Sequence, residues 1–156
     1  MNGRASSFGL LVLRLAGFYL AWAHGHGKFM SLMHGEADRF IGGVTSMGLP
    51  QPVLFAWLSA SAEFVGGLLI FLGLGTRVAA VFVTVNMAVA AFLKHHALQQ
   101  LMAAVGLAAV TPETLDKWGN PELAIVYLLI ALALVFTGPG RFSLDGMIGR
   151  RMGRDA

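Results

Sequence analysis

Four long apolar stretches alternate with short polar connections along this chain, at about residues 8–27, 53–73, 77–96 and 121–137. A helix of roughly 20 apolar residues crosses the ~30 Å hydrocarbon layer, so the pattern predicts four membrane-spanning helices. Local signals set their ends. Ser6 or Ser7 can cap the first helix, which should loosen through the His24-Gly25-His26-Gly27-Lys28 run. Pro52 suits the first turn of the second helix, and Gly73-Leu74-Gly75 ends it. Thr76 then caps the third helix, while Asn120 and Pro121 begin the fourth. Between the third and fourth spans, Leu98–Val110 is apolar but interrupted by Gln99, Gln100 and Gly106. That length and polarity predict a short amphipathic helix lying at the interface, followed by a turn of helix over Pro112–Lys117. The expected fold is therefore all-α: a four-transmembrane-helix bundle in one integral membrane domain over 1–156, with a basic cytoplasmic tail over 142–156.

Composition agrees with lipid as the solvent. Of 156 residues 12% are charged and 56% hydrophobic, with mean hydropathy +0.71, more apolar surface than a water-soluble domain of this size could cover. The first segment follows Arg4 and is N-terminal, but Arg14 interrupts its apolar run and further spans follow, so a retained helix is expected rather than a cleaved signal. Cysteine is absent, which excludes disulfides, thiol exchange, covalent c-type haem and cysteine-held iron–sulfur clusters. The net charge of +3 is small, and nothing in the distribution of basic residues suggests nucleic acid as a partner. With four spans, Arg4, Arg77, Arg141, Arg150, Arg151 and Arg154 share one side, against Lys28, Arg39, Lys94 and Lys117 on the other. Positive-inside bias puts both termini in the cytoplasm.

Charge inside these stretches is the chemical signal. A charged residue at mid-membrane costs about 2.5–3.5 kcal/mol on insertion scales, so it ordinarily faces protein or water and marks function. Arg14, Gly17, Ala21, His24 and Lys28 fall on one helical stripe, as do Ser59, Glu63, Gly66, Gly67 and Ile70. Glu63 and Asn86 lie at similar depth, with Arg14 about a turn nearer the cytoplasm. The expected arrangement is an Arg14–Glu63–Asn86 network, either catalytic or a structural clamp. Side chains lean toward the N-terminus of their own helix, so Arg14 and Glu63 on antiparallel neighbours lean apart, and their contact relies on arginine's reach.

His24, His26, His34, His95 and His96 all map to the outer ends or loops, together with Glu36, Asp38 and Glu122. Neither the i, i+2 nor the i, i+1 pair presents two ligands from one regular helix, so a metal would need histidines from two segments. Three readings stand beside one another: plain interfacial histidines, a metal-handling cluster, or a site for a hydrogen-bonding headgroup such as a quinone. In the last, His24, Lys28, His95 and Glu122 contact the headgroup while Glu63 exchanges protons, with no covalently bound cofactor. Trp22, Trp57 and Trp118 fit an outer aromatic belt.

The chain resembles the DoxX family of small bacterial membrane proteins. The likeness lies in Leu11-Val12-Leu13-Arg14-Leu15 with His24-Gly25 and Lys28, in Gly48-Leu49-Pro50, in Glu63-Phe64-Val65-Gly66-Gly67, and in Gly73-Leu74-Gly75-Thr76-Arg77. It continues in Glu122-Leu123 and in the stretch from Gly138-Pro139 to Asp145, and misses chiefly residues 30–47 and 96–120. The resemblance implies a four-helix inner-membrane protein. Some members serve as membrane subunits of quinone-reducing sulfur-oxidising enzymes, and others associate with redox-protective complexes or maturation systems. It therefore implies a redox-associated subunit whose electrons come from a partner redox protein or membrane subunit, in a homo-oligomer or mixed assembly. The alternative is a non-enzymatic anchoring or assembly subunit, or a binding module for a hydrophobic solute. His26 and the His95–His96 pair have no counterpart in the family pattern.

Overall fold

The computed structural model describes residues 3–152. These are helical almost throughout, and three helices are long and apolar enough to cross a membrane: α1 (Gly3–His34), α3 (Pro52–Leu72) and α4 (Thr76–Lys94). Between the first two lies the short α2 (Asp38–Thr45). After α4 come α5 (Ala97–Ala104) and α6 (Pro112–Trp118), which meets α7 (Glu122–Thr137) at a 46° bend. At 16 residues α7 is short for a span by itself, and the bent pair supplies the fourth. Helix α8 (Leu144–Met152) closes the described chain.

The bundle packs through small residues and shows its large apolar side chains to the outside. On α7, Ala124, Tyr127, Ala131 and Leu134 form a stripe at spacings of 3 and 4, set against Ala79, Ala80, Val83 and Met87 of α4. Phe8, Val12, Leu15, Phe18, Val78, Phe82 and Val85 are exposed instead, a surface made for lipid rather than water. Between α1 and α3 the backbones nearly touch: a Cβ on Gly17 would lie 2.6 Å from the Gly67 carbonyl oxygen, and one on Gly67 the same distance from that of Gly17. Dispersion and close approach take over here from the hydrophobic effect, which has little to act on between helices in lipid.

Three π-helical turns interrupt the spans, at Leu20–Gly25, Ala62–Gly66 and Ala90–Lys94. In the first, the His26 N–H bonds to the Ala21 carbonyl, five residues back. Helix α1 is consequently not loosened at its histidines but continues to His34, where Gly35 in the left-handed region stops it. The buried stripe passes from Ala21 to Gly25 rather than to His24. Gly25 meets the backbone of Glu63 and Phe64 so closely that any Cβ would collide with the Phe64 nitrogen.

Several expected ends are corrected. Helix α1 begins at Gly3, and Ser7 is no cap: its hydroxyl donates back to the Gly3 carbonyl at 2.7 Å. Helix α4 ends at Lys94 because His96 takes a left-handed conformation. Its N-terminus is capped not by Thr76 but from across the chain, since Asp145 accepts the Gly75 and Thr76 N–H groups at 2.8 and 3.0 Å. The segment after α7 is therefore more than a basic tail, and the Asp145 N–H bonds to the Gly73 carbonyl as well. Arg154 lies outside the described residues.

Asp145 gives a pH prediction. Burial works to raise its carboxyl, but the Thr76 and Gly75 N–H bonds and the Arg14 charge outweigh it and hold it below its ordinary value. A group depressed on folding stabilises fully above its unfolded pKa of about 3.9 and loses that contribution as pH falls through the folded value. At neutral pH, Asp145→Asn is expected to cost about 1 kcal/mol, as for a lost helix cap. The gap to wild type should close below about pH 4 in melts of the detergent-held protein.

Candidate functional site

The two buried charges of the bundle, Arg14 at 2% exposure and Glu63 at 3%, serve different ends of it. Arg14 turns to the closing end of α3. Its Nε donates to the Ile70 carbonyl at 2.9 Å and its Nη2 to that of Phe71 at 2.6 Å, while Nη1 donates to Phe142 at 2.6 Å and Pro139 at 3.3 Å. Helix C-termini leave carbonyls without partners and carry partial negative charge, so a forked cation fits there. The expected Arg14–Glu63 contact is absent, for the reason that side-chain lean suggested: Ile70 is seven residues from Glu63, about 10 Å along the helix.

Glu63 is partnered by Lys28. The Lys28 Nζ donates to Oε1 at 2.7 Å and to Oε2 at 2.6 Å, and Asn86 Nδ2 donates to Oε1 at 3.3 Å. This is the one salt bridge among the described residues. Backbone geometry brings the three together. Gly25 lets α1 lie directly on α3 at Glu63, and Lys28 follows one turn later on the same stripe, leaving its ammonium 5.4 Å from the centre of the Phe40 ring.

Lys28, Glu63 and Asn86 stand in the wall of a cavity of about 740 Å³ between α1, α2, α3 and α4. Phe40, Val44, Met47 and Leu49 form its outer roof, on and just beyond α2, and Lys94, Arg39 and Glu36 also line it. Leu58, Val81, Phe82 and Val85 line its flank and are themselves exposed on the lipid-type surface, so the cavity opens sideways between α3 and α4. An apolar enclosure with a few convergent polar groups is the usual form of a small-molecule site.

The remaining expected site residues lie elsewhere. His24 sits edge-on to Tyr19 and Tyr127. His95 donates from Nδ1 to the Trp118 carbonyl at 2.6 Å and, with Gln100 bonded to the His95 and Gly119 carbonyls, ties the end of α4 to the connection before α7. Glu122 is exposed at the start of α7. None of the three lines the cavity. His26 stacks on Trp22, and His96 packs at a tilt against Trp118. Among the described residues no three His, Asp or Glu side chains are grouped to hold a metal ion, which removes the geometric basis of the metal-handling reading.

Lys94 and α2 were not singled out from the sequence. Lys94 reads only as a basic residue at the outer end of the third span, counted for topology. Residues 30–47 read as a loop marked by Gly42 and Gly43, with His34, Glu36 and Asp38 on the outer side, and the signal available was the apolar set Phe40, Ile41 and Val44, one face of a short helix.

The sequence profile of DoxX matches residues 9–96, more than half of the chain and nearly all of the segment that builds the cavity. The chain belongs to the DoxX family. Among curated relatives, "Inner membrane protein YphA" of Escherichia coli (strain K12) is 32% identical over 143 residues, 92% of each chain. "Putative oxidoreductase CatD" of Bacillus subtilis (strain 168) is 27% identical over 145 residues, 93% of this chain and 90% of the relative. No solved structure matches. As a DoxX member it is an integral membrane protein in contact with the lipid bilayer.

Proposed function

We propose that this protein is a redox-associated inner-membrane subunit that receives, from the lipid, a hydrophobic molecule with a hydrogen-bonding headgroup, a quinone above all. The observation that carries the reading is the side-opening apolar cavity with Lys28, Glu63 and Asn86 in its wall. Its chemistry fits such a group. Ammonium and amide donors suit quinone carbonyl oxygens, the aromatic and aliphatic lining suits a ring and prenyl chain, and about 740 Å³ accommodates the ring with part of the chain. A quinone supplies two-electron chemistry coupled to proton uptake. The Lys28–Glu63 pair holds a transferable proton beside the headgroup position, and a partner redox protein or membrane subunit provides the electrons. A relative named as an oxidoreductase supports this assignment.

In this reading both termini are cytoplasmic and the cavity faces the outer leaflet, following the six-to-four distribution of Lys and Arg. Arg14 does not line this cavity, and its four carbonyl partners favour a structural role.

Titration of the protein in nanodiscs with a short-chain ubiquinone or menaquinone, followed by tryptophan quenching, tests the reading. Saturable binding is expected. Glu63→Gln, which keeps shape but removes the charge that orients Lys28, should weaken it about tenfold. Wild type that shows only linear partitioning into lipid would rule the quinone out and leave the anchoring or assembly role.

A further inference from the structure

We infer that the headgroup taken by this cavity is anionic, and that Lys94 is the residue that selects it; the inference rests on the headgroup-binding reading above. The charges lining the cavity do not balance: Lys28, Arg39 and Lys94 face Glu36 and Glu63. Glu63 is already committed. Both its oxygens accept from Lys28, and Asn86 adds a third bond, so its charge is already compensated within the cavity wall. Among the described residues neither Lys94, Arg39 nor Glu36 of the lining is in a salt bridge, which leaves one net positive charge, and of the two unpaired cations Lys94 is on the helix that carries Asn86.

The fold aims Lys94 at this position. It is the last residue of the π turn Ala90–Lys94, the His95 N–H closes on the Ala90 carbonyl, and Ala90 is itself in the cavity wall. Behind it the chain is held fixed, because His95 and Gln100 tie the end of α4 to Trp118 and Gly119. Its side chain is exposed at the helix end, as a snorkelling lysine's is, and it also lines an apolar chamber that already contains a satisfied ion pair. An ammonium without a counter-charge, next to a space that admits lipid-soluble molecules, favours an amphiphile bearing its own negative charge. Two sources offer that chemistry: a quinone with an acidic ring hydroxyl, or a fatty carboxylate.

Matched pairs test this in nanodiscs of zwitterionic lipid. One pair is a 2-hydroxy-3-alkyl-1,4-naphthoquinone, ionised at neutral pH, and its 2-methoxy ether; the other is dodecanoate and its methyl ester. The expected result is that at least one anion binds about tenfold more tightly than its neutral partner, and that Lys94→Gln abolishes this preference while leaving binding of the neutral compound unchanged. The pair showing the preference identifies the source. Equal affinity for the hydroxy and methoxy quinones, with no preference for dodecanoate, would overturn the anionic selection while the headgroup reading stands. A preference surviving in Lys94→Gln would overturn the role of Lys94. Failure of all four compounds to bind would sink both readings together.

Discussion

Arg14→Met is expected to destabilise the bundle by about 4 kcal/mol, among the largest effects of any single substitution in this chain. Methionine fills much of the volume but donates nothing, so the carbonyls of Ile70, Phe71, Phe142 and Pro139 lose a charged donor in a place where water is scarce. Each acceptor left unsatisfied costs about 1–3 kcal/mol; the Ile70 carbonyl keeps the Gly73 N–H at 3.1 Å, and the others share one partner, so the costs do not add in full. The loss should also be local. Phe142 and Pro139 belong to the segment that carries Asp145 to the start of α4, so hydrogen exchange should accelerate over residues 138–148 before it does in α7. Arg14→Lys should recover only part of the loss, since one ammonium cannot reproduce a planar fork spanning four carbonyls. Unfolding in a denaturing detergent series measures all three, and a change below about 1 kcal/mol for Arg14→Met would show that the clamp is dispensable.

Lys28→Met is the second large effect, expected at about 3–5 kcal/mol, because it strands a carboxylate that is only 3% exposed. Glu63→Gln should cost less. Its amide can still accept from Asn86, and the ammonium it releases is on a side chain 32% exposed, with access to the cavity. Combining the two should cost less than Lys28→Met alone, for then no charge is left without a partner. A cycle of the same design between Arg14 and Glu63 should be additive, since seven residues of helix separate Glu63 from the nearer carbonyl partner of Arg14. Coupling in the second cycle and additivity in the first would reverse the assignment of partners.

The spans, their order and the glycine-lined contact faces were legible in the sequence, because apolar length and spacings of 3 and 4 are local properties. So was a short helix after the third span, found at Ala97–Ala104. The partner of Glu63 was not. The stripe through Arg14, Gly17 and Ala21 was correct, but the step of three residues on to His24 was not: about 3.6 residues per turn counted from Arg14 falls nearest Gly25, the residue on the contact. What the string does not show is that Gly25 meets the backbone at Glu63, 38 residues away in the chain. The same holds for Asp145, whose cap of α4 joins residues 69 and 70 apart. The caution about side-chain lean was sound physics, and applied to Arg14 it points toward the α3 terminus, where the guanidinium is found.

The cavity follows from these long-range events. The α1–α3 contact at Gly25 sets Lys28 against Glu63, and α2 roofs the space that remains. The most direct test of its role is photoaffinity labelling in native membranes with an alkyl quinone bearing a diazirine beside the ring, followed by peptide mapping. Labels are expected in peptides containing Phe40, Met47 and Phe82, with loss of labelling under excess unmodified quinone. Labels that instead fall around Tyr19 and Tyr127, or spread along the lipid-facing surface and persist under competition, would contradict the account.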